Sequence, residues 1–463
     1  MSARRCDAVV VGGGLAGITA ALDLAAAGAR VTLVERRRRL GGLTWSFPHA
    51  GRSVDNGQHV FLRCCRAYLG FLSRIGSSGD VELQPRMEIT AVRPAPVPGG
   101  TPTRGTLRRN RLPAPLQLGG SLLRYPLMSL SERLGVGRAV LALLRAGGDG
   151  ADLDRETFAA WLARHGQGPG AIDALWDLIT VATINLPSRE ASAAAAAMVF
   201  RTGLLEDPTA ADIGWSRVPL GTLHGERAAA TLERAGVTVR LGETAHCLTA
   251  RGSGETGARF ELQCEGGSVG SDLAVVAVAH TAVGALLPPG SLTDQDRLER
   301  LGTSAIVNVH VVYDRPVTDL PLLAGVGSPL QWVFDRTGSS GLAGAGQYLA
   351  VSLSAADHLV GRHPEVITAE VLPELEALLP EARGARVLDT LVTKERTATF
   401  RAAPGSTALR PGPSTALAGM AVAGAWTATG WPATMEGAVR SGHAAAEAVL
   451  GTPDRHLPTE EVA

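Results

Sequence analysis

Residues 7–35 read Asp-Ala-Val-Val-Val-Gly-Gly-Gly-Leu-Ala-Gly-Ile-Thr-Ala-Ala-Leu-Asp-Leu-Ala-Ala-Ala-Gly-Ala-Arg-Val-Thr-Leu-Val-Glu. Asp7 to Val11 is an apolar run of β type that breaks into Gly12-x-Gly14-x-x-Gly17. A helical pattern follows from Ile18 to Ala27, and a second apolar run, Val31 to Val34, ends on Glu35. Strand, glycine turn, helix, strand and acid in this order predict a βαβ unit that takes a dinucleotide. The glycines let the chain turn sharply, let the backbone approach a pyrophosphate and let the helix sit close on the strand. The phosphates then face the free N–H groups at the helix N-terminus, around Leu15 and Ala16. Glu35 stands where a carboxylate accepts hydrogen bonds from a ribose 2′-OH, which favours an unphosphorylated adenosine ribose.

The 463 residues predict two or three domains and an ample core. Formal net charge is zero, so nothing argues for a nucleic-acid partner. The five cysteines, Cys6, Cys64, Cys65, Cys247 and Cys264, show no metal spacing and read as reduced thiols, so no metal is expected. The chain enters a strand within seven residues, which predicts no signal peptide and a cytoplasmic location. The longest apolar run, Leu273 to Leu287, contains His280 and ends in Pro-Pro, too short and interrupted to span a bilayer.

After Glu35 come Arg36 and, past Leu40, a second glycine pair, Gly41-Gly42, followed by Leu43 and Thr44. This pattern resembles the flavoprotein amine oxidase and phytoene desaturase superfamily, in which it runs over the ribose and back under the pyrophosphate. The resemblance implies FAD and assigns Arg36, Gly41, Gly42, Leu43 and Thr44 to it, with Arg37 to Arg39 read as a solvated charge cluster. Gly51-Arg52 reads as a hairpin turn, and Asp55-Asn56-Gly57-Gln58-His59 follows. That segment is similar to the bacterial hydroxysqualene dehydroxylases, where it passes beside the flavin ring, and implies contacts from Gly57, Gln58 and His59. His59 itself reads either as a structural hydrogen-bonder or as a group at the isoalloxazine.

Leu417 to Trp426 is apolar and ends in Gly424-Ala425-Trp426. Thr429-Gly430-Trp431-Pro432-Ala433-Thr434-Met435-Glu436-Gly437-Ala438 then opens a helix from about Glu436 to Leu450. Its N-terminus can favour negative charge on a reduced flavin. The segment closely resembles the same family, and the resemblance assigns Gly424, Ala425, Trp431, Thr434 and Met435 to the cofactor. The family carries Asp where this chain has Ala425, so one carboxylate contact is missing. Ala245, after the strand of Gly236 to Leu241, stands where the superfamily makes a backbone contact to adenine.

The resemblance implies an α/β fold: a Rossmann-like FAD-binding domain with an inserted α+β substrate domain on a mixed sheet and helices. The expected division is residues 1–75, 220–300 and 401–463 for the cofactor, and 76–219 and 301–400 for the substrate. Ile306 to Tyr313 alternates like a half-buried strand, and Gln331 to Arg336 and Tyr348 to Ser354 add further strands. Leu116 to Arg145 is Leu-rich with interspersed Arg and reads either as core cover or as a surface dipping into a membrane interface, peripheral on the inner face. Leu175-Trp176 to Asn185-Leu186-Pro187 reads as a helix ended by proline. By resemblance it lines a long apolar pocket, to which Trp176, Asn185 and Trp332 are assigned.

The family implies reduction of hydroxysqualene to squalene, with a C30 isoprenoid as the small-molecule partner. Loss of the hydroxyl needs a proton donor. His59, Asp177, Tyr313, Asp335 and Glu395 are the residues weighed, and His59 or Glu395 is preferred as the catalytic donor, because the resemblance places their motifs nearest the flavin. Three other readings stand beside it. One is a carotenoid-type desaturase. Another is a flavin amine oxidase, for which Lys394, the only lysine, is the residue to locate. The last is a non-catalytic flavin-binding subunit, suggested by Ala425.

Overall fold

The computed structural model describes residues 6–97, 99–145, 150–251, 258–294 and 296–451. The outermost ends of the expected cofactor segments, 1–5 and 452–463, lie outside them. The first strand, Asp7–Val11, pairs in parallel with Arg30–Glu35 on one side and Leu273–Val276 on the other. Thr238–Leu241 and Met420–Val422 complete a five-stranded parallel sheet. Val9, Val10 and Val11 are buried, as a strand covered on both faces requires. The sheet therefore gathers strands from residues 7–35, 238–276 and 420–422.

The helices Leu15–Ala26 and Met435–Leu450 pack on each other against this sheet. Small residues make the approach: a Cβ on Gly442 would stand 2.3 Å from the Ala16 carbonyl oxygen. This contact brings the N-terminal glycine turn and the C-terminal loop 424–434 to one end of the sheet.

Between these segments the chain builds a seven-stranded mixed sheet in the order Val387–Phe400, Thr303–Tyr313, Gln347–Leu353, Trp332–Asp335, Leu322–Gly325, Glu88–Arg93, Thr103–Arg108. Only the pair Leu322–Gly325 with Glu88–Arg93 is parallel. Helix Pro364–Leu378 covers one face, packing Ile367, Val371 and Leu375 with Val307, Val309 and Val311. The strand Thr303–Tyr313 is thus buried on both faces along most of its length, not half-buried as its alternation suggests. Its other face carries a polar network rather than solvent: the fully buried His310 bonds Tyr348 Oη at 2.7 Å and Thr393 Oγ1 at 3.2 Å.

The hairpin Ser46–His49 with Arg52–Asp55 turns at Ala50 and Gly51, both with positive φ, one residue earlier than the sequence reading placed it. Helix Asp177–Ile184 ends on Asn185 in the left-handed conformation, before Pro187 is reached.

Candidate active site

The glycine turn is shaped by contacts that only glycine permits. Gly12 has φ +107°, and a Cβ there would lie 2.4 Å from the Ala277 carbonyl oxygen. A Cβ on Gly17 would lie 1.9 Å from the Gly12 carbonyl oxygen, so this glycine lets the helix sit on the turn. Gly14 differs: its nearest neighbour is Gly42 Cα at 3.7 Å, and the space in front of it is open. Gly14 is the N-cap of Leu15–Ala26, and neither a capping side chain nor an acid occupies that helix start. Free N–H groups facing open space are what a pyrophosphate needs.

Glu35 is buried below this turn. One carboxylate oxygen accepts from Gly13 N at 2.7 Å and the other from Arg37 N at 2.8 Å. The segment leading to Ala245 runs beside it, with Gly242 N donating to Arg37 O at 2.9 Å and Glu243 N to Glu35 O at 3.0 Å. Glu35 and Ala245 are thereby brought to one side of the turn.

The arginine run divides by alternation. Arg36 and Arg38 are exposed, whereas Arg37 and Arg39 turn inward and donate to the Gly42 carbonyl at 3.2 and 3.0 Å. Arg39 also stacks 4.1 Å over the Trp45 ring, and burial lowers its pKa to about 10. The expected solvated cluster of Arg37 to Arg39 therefore holds for Arg38, whereas Arg37 and Arg39 are engaged with the glycine crossing. The second glycine pair is held by Thr44, whose Oγ1 donates to Gly41 O at 2.8 Å, while Leu43 is partly exposed.

Across the opening, the loop after Met420–Val422 closes the site. Gly424 N donates to Ser441 Oγ at 2.9 Å, and Trp426 Nε1 donates to Val278 O at 2.9 Å. Thr434 caps the last helix, its Oγ1 accepting from Gly437 N at 3.2 Å. Arg410 braces this loop, a role that the sequence did not reveal. Its guanidinium reaches the carbonyls of Ala425, Trp426 and Thr427 and the Thr429 hydroxyl, and stacks 4.8 Å from the Phe400 ring. Burial lowers its pKa to about 10.

Beyond the loop lies an apolar cavity of about 210 Å³. Trp431, Pro432, Thr434, Met435 and Glu436 form one wall, and Gln58, Val60, Phe61 and Leu62 another. Trp332 and Phe334 stack with centroids 6.1 Å apart and also line it. Leu178, Ile179, Ala182 and Thr183 come from helix Asp177–Ile184, so this helix contributes to the wall through other residues than those assigned from sequence. Trp176 is buried elsewhere, donating from Nε1 to Gln167 Oε1 at 3.0 Å and packing on Phe158 and Phe200. Asn185 holds the Ser304 carbonyl, the Thr399 hydroxyl and Ala355 N. Both are structural, and neither lines the cavity.

The acid–base residues separate in the same way. Asp177 is engaged by Ser188 through its backbone N–H and hydroxyl. Asp335 accepts from Thr337 N at 2.8 Å and Gln347 Nε2 at 2.8 Å. Tyr313 is buried in the core under helix Pro364–Leu378, its hydroxyl pushed up to about 12 by burial. Glu436, in the cavity wall, is held by Ala67 N, Tyr68 N and Arg440 Nε at 3.3, 2.7 and 2.6 Å. His59 follows the Asn56-Gly57-Gln58 turn, and burial pushes its imidazole below the usual value. Glu395 pairs across the sheet with Ile306, a cavity-lining residue, and so projects to the same face. Burial raises its pKa against the opposing pull of Arg37 and Arg39. Lys394 points to the opposite face, where Nζ donates to the carbonyls of Val360 and Arg362.

Residues 15–450 match the family model described as flavin containing amine oxidoreductase. A hydroxysqualene dehydroxylase of Rhodopseudomonas palustris is 33% identical over 95% of this chain and 97% of its own length. A zeta-carotene desaturase of Synechocystis is 25% identical over 96% of this chain and 97% of its own. Among solved structures, a putrescine oxidase superposes with a TM-score of 0.73 at 20% identity, covering 96% of this chain and 99% of that one, and shows the shared fold. An open glycine turn, an apolar cavity and these whole-length matches agree: the chain is a flavin-dependent oxidoreductase of the flavin-containing amine oxidoreductase family, belonging within it to the hydroxysqualene dehydroxylases.

Proposed function

We propose that the protein removes the hydroxyl group of hydroxysqualene reductively, giving squalene and water. The observation that carries this reading is the apolar lining of the cavity at the Trp431–Glu436 wall, where part of an isoprenoid chain without a charged handle can be held by burial. The flavin, when bound and already reduced, would supply the hydride that replaces the hydroxyl and would itself be left oxidised. Gly12, Gly14, Leu15, Ala16 and Gly17 would hold its pyrophosphate, Glu35 its ribose, and Arg37 and Arg39 would brace the Gly41-Gly42 crossing. Gly57 to His59 and Gly424 to Met435 would flank the ring. The division of labour follows the two large sheets, with the cofactor on the parallel sheet and the substrate against the mixed one.

The C–O bond breaks as a C–H bond forms, and the leaving oxygen must take a proton. Glu395 is the donor in this reading, because its raised pKa keeps it protonated to higher pH than an ordinary carboxyl. His59 stays neutral and orients the turn. Trp332, Phe334 and Trp431 present aromatic faces to positive charge developing on the allylic carbon. The outward course of Lys394 argues against amine oxidation. The test is anaerobic incubation of the dithionite-reduced protein with hydroxysqualene, products separated by gas chromatography–mass spectrometry. Squalene should appear as the flavin reoxidises. A bound, reducible flavin without squalene would transfer the assignment to polyene desaturation.

A further inference from the structure

The helix Leu130–Arg145 turns Val136, Ala139 and Leu143 into the core, yet its outer face is also apolar. Leu130, Leu134, Leu141 and Leu144 are 60, 64, 52 and 38% exposed. Their spacing puts them along one stripe. In the preceding segment Leu112, Leu116 and Leu123 are 50, 59 and 52% exposed. The short helix Gly119–Leu123 packs beside Leu130–Arg145, so the two sets adjoin. Water-facing leucines at this density mark an interaction surface.

The charge around them is equally uneven. Residues 103–145 contain eight arginines and one glutamate, in a chain whose formal net charge is zero. Arg111, Arg124, Arg138 and Arg145 are exposed among the leucines. A second copy of this chain would oppose arginine to arginine. An anionic bilayer satisfies both features, with leucines in the acyl boundary and guanidinium groups at the phosphates.

The inner side of this face abuts the cavity wall. Helix Leu130–Arg145 touches the π-helical turn Arg201–Leu205, of which Thr202, Gly203 and Leu204 line the cavity. The buried Gln117, between the exposed Leu116 and the helices, donates from Nε2 to Leu204 O at 2.5 Å, while its Oε1 has no partner. One layer of structure therefore separates the leucine face from the cavity.

We propose that residues 112–145 dock the protein on an anionic lipid bilayer and that an apolar substrate passes from the bilayer into the cavity beside the turn Arg201–Leu205. The identity of that cargo rests on the function proposed above, but the docking does not. The experiment is co-sedimentation of the flavin-loaded full-length protein with vesicles of phosphatidylcholine alone or mixed with phosphatidylglycerol. Wild type should sediment with the anionic vesicles and be released by salt. The triple variant Arg111→Gln, Arg124→Gln, Arg138→Gln should bind on the order of 100-fold more weakly. Leu130→Ser, Leu134→Ser, Leu141→Ser should lose binding while keeping its flavin and urea midpoint. With hydroxysqualene dissolved in the vesicles the leucine variant should turn over slowly, and with detergent-solubilised substrate at the wild-type rate. Wild type that ignores anionic vesicles, variants that bind as wild type does, or a dimer that the leucine variant abolishes would each overturn the docking. Equal slowing with both substrate presentations would overturn the route. Vesicle binding without any turnover would strike only the dehydroxylase reading.

Discussion

Gly14 and Gly42 face each other across the mouth of the glycine turn, so close that a Cβ on Gly42 would stand 2.8 Å from Gly14 Cα, whereas one on Gly14 would clear Gly42 Cα by 3.7 Å. The asymmetry separates cofactor binding from folding. Gly14→Val should fold with a near-native urea midpoint and purify colourless, because the side chain fills the pyrophosphate space. Gly17→Ala should instead destabilise the fold by about 3 kcal/mol, since its Cβ meets backbone. Flavin absorbance and urea denaturation on both variants check the pair. A yellow Gly14→Val protein would refute the cradle.

Arg336 and Asp55 form a buried ion pair at 2.8 Å, and Asp55 also accepts from Ser46 Oγ at 2.6 Å and Leu220 N at 3.0 Å. Arg336 adds a hydrogen bond to Ser216 O at 3.1 Å. The pair ties the Arg52–Asp55 hairpin to the mixed sheet. Arg336→Leu should cost about 3–5 kcal/mol by leaving a buried carboxylate unpaired, read as a lowered denaturation midpoint. Asp55→Asn with Arg336→Leu should recover part of the loss.

Burial lowers the pKa of both His224 and His310 from 6.5 to about 3. Below the ordinary value the unfolded chain binds protons that the folded chain excludes. Their contribution is therefore present above about pH 6.5 and is lost progressively as the pH falls towards 3. Each imidazole should remove about 1.4 kcal/mol per pH unit in that window. Urea titrations at pH 7 and pH 5 should show the drop, and His224→Gln should make it shallower. An unchanged pH slope would mean that His224 is accessible to protons when folded.

Glu395→Gln should lower dehydroxylation by about 100-fold or more while leaving the flavin bound. In the wild type the rate should fall as pH rises through the carboxyl's raised pKa, above its ordinary 4.5. Single-turnover flavin reoxidation across a pH series measures both. A Glu395→Gln variant as fast as wild type would return the proton donor to His59.

Ala182→Phe should raise KM for the isoprenoid by filling a cavity of about 210 Å³ lined by that alanine. Flavin content should be unaffected. Trp332→Ala should lower kcat more than it raises KM if its face meets developing positive charge.

What could be read in advance was what local chemistry constrains. Gly12 must be glycine because of its own φ and its nearest backbone neighbour, and the strand–turn–helix around it is contiguous. Trp176 and Asn185 were misplaced because a helix near a cavity has several faces, and only packing against Phe200 and Ser304 shows which one each occupies. Arg37 and Arg39 read as solvated because sequence gives adjacency but not the alternation set by the turn. Arg410 was invisible: its acceptors lie up to 19 residues away and converge only when the last loop folds back.

The sequence by itself determined the parallel-sheet cradle, its glycines and the acid at Glu35, because these depend on backbone freedom and short-range order. Tertiary structure alone decided the rest. It brought Trp431 to Thr434, Gln58 and helix Asp177–Ile184 to one apolar cavity, and it set Glu395 on the sheet face of the cavity-lining Ile306 and Lys394 on the other. These are contacts between residues far apart in the chain, fixed by how the sheets and helices pack and not by the preference of any one segment.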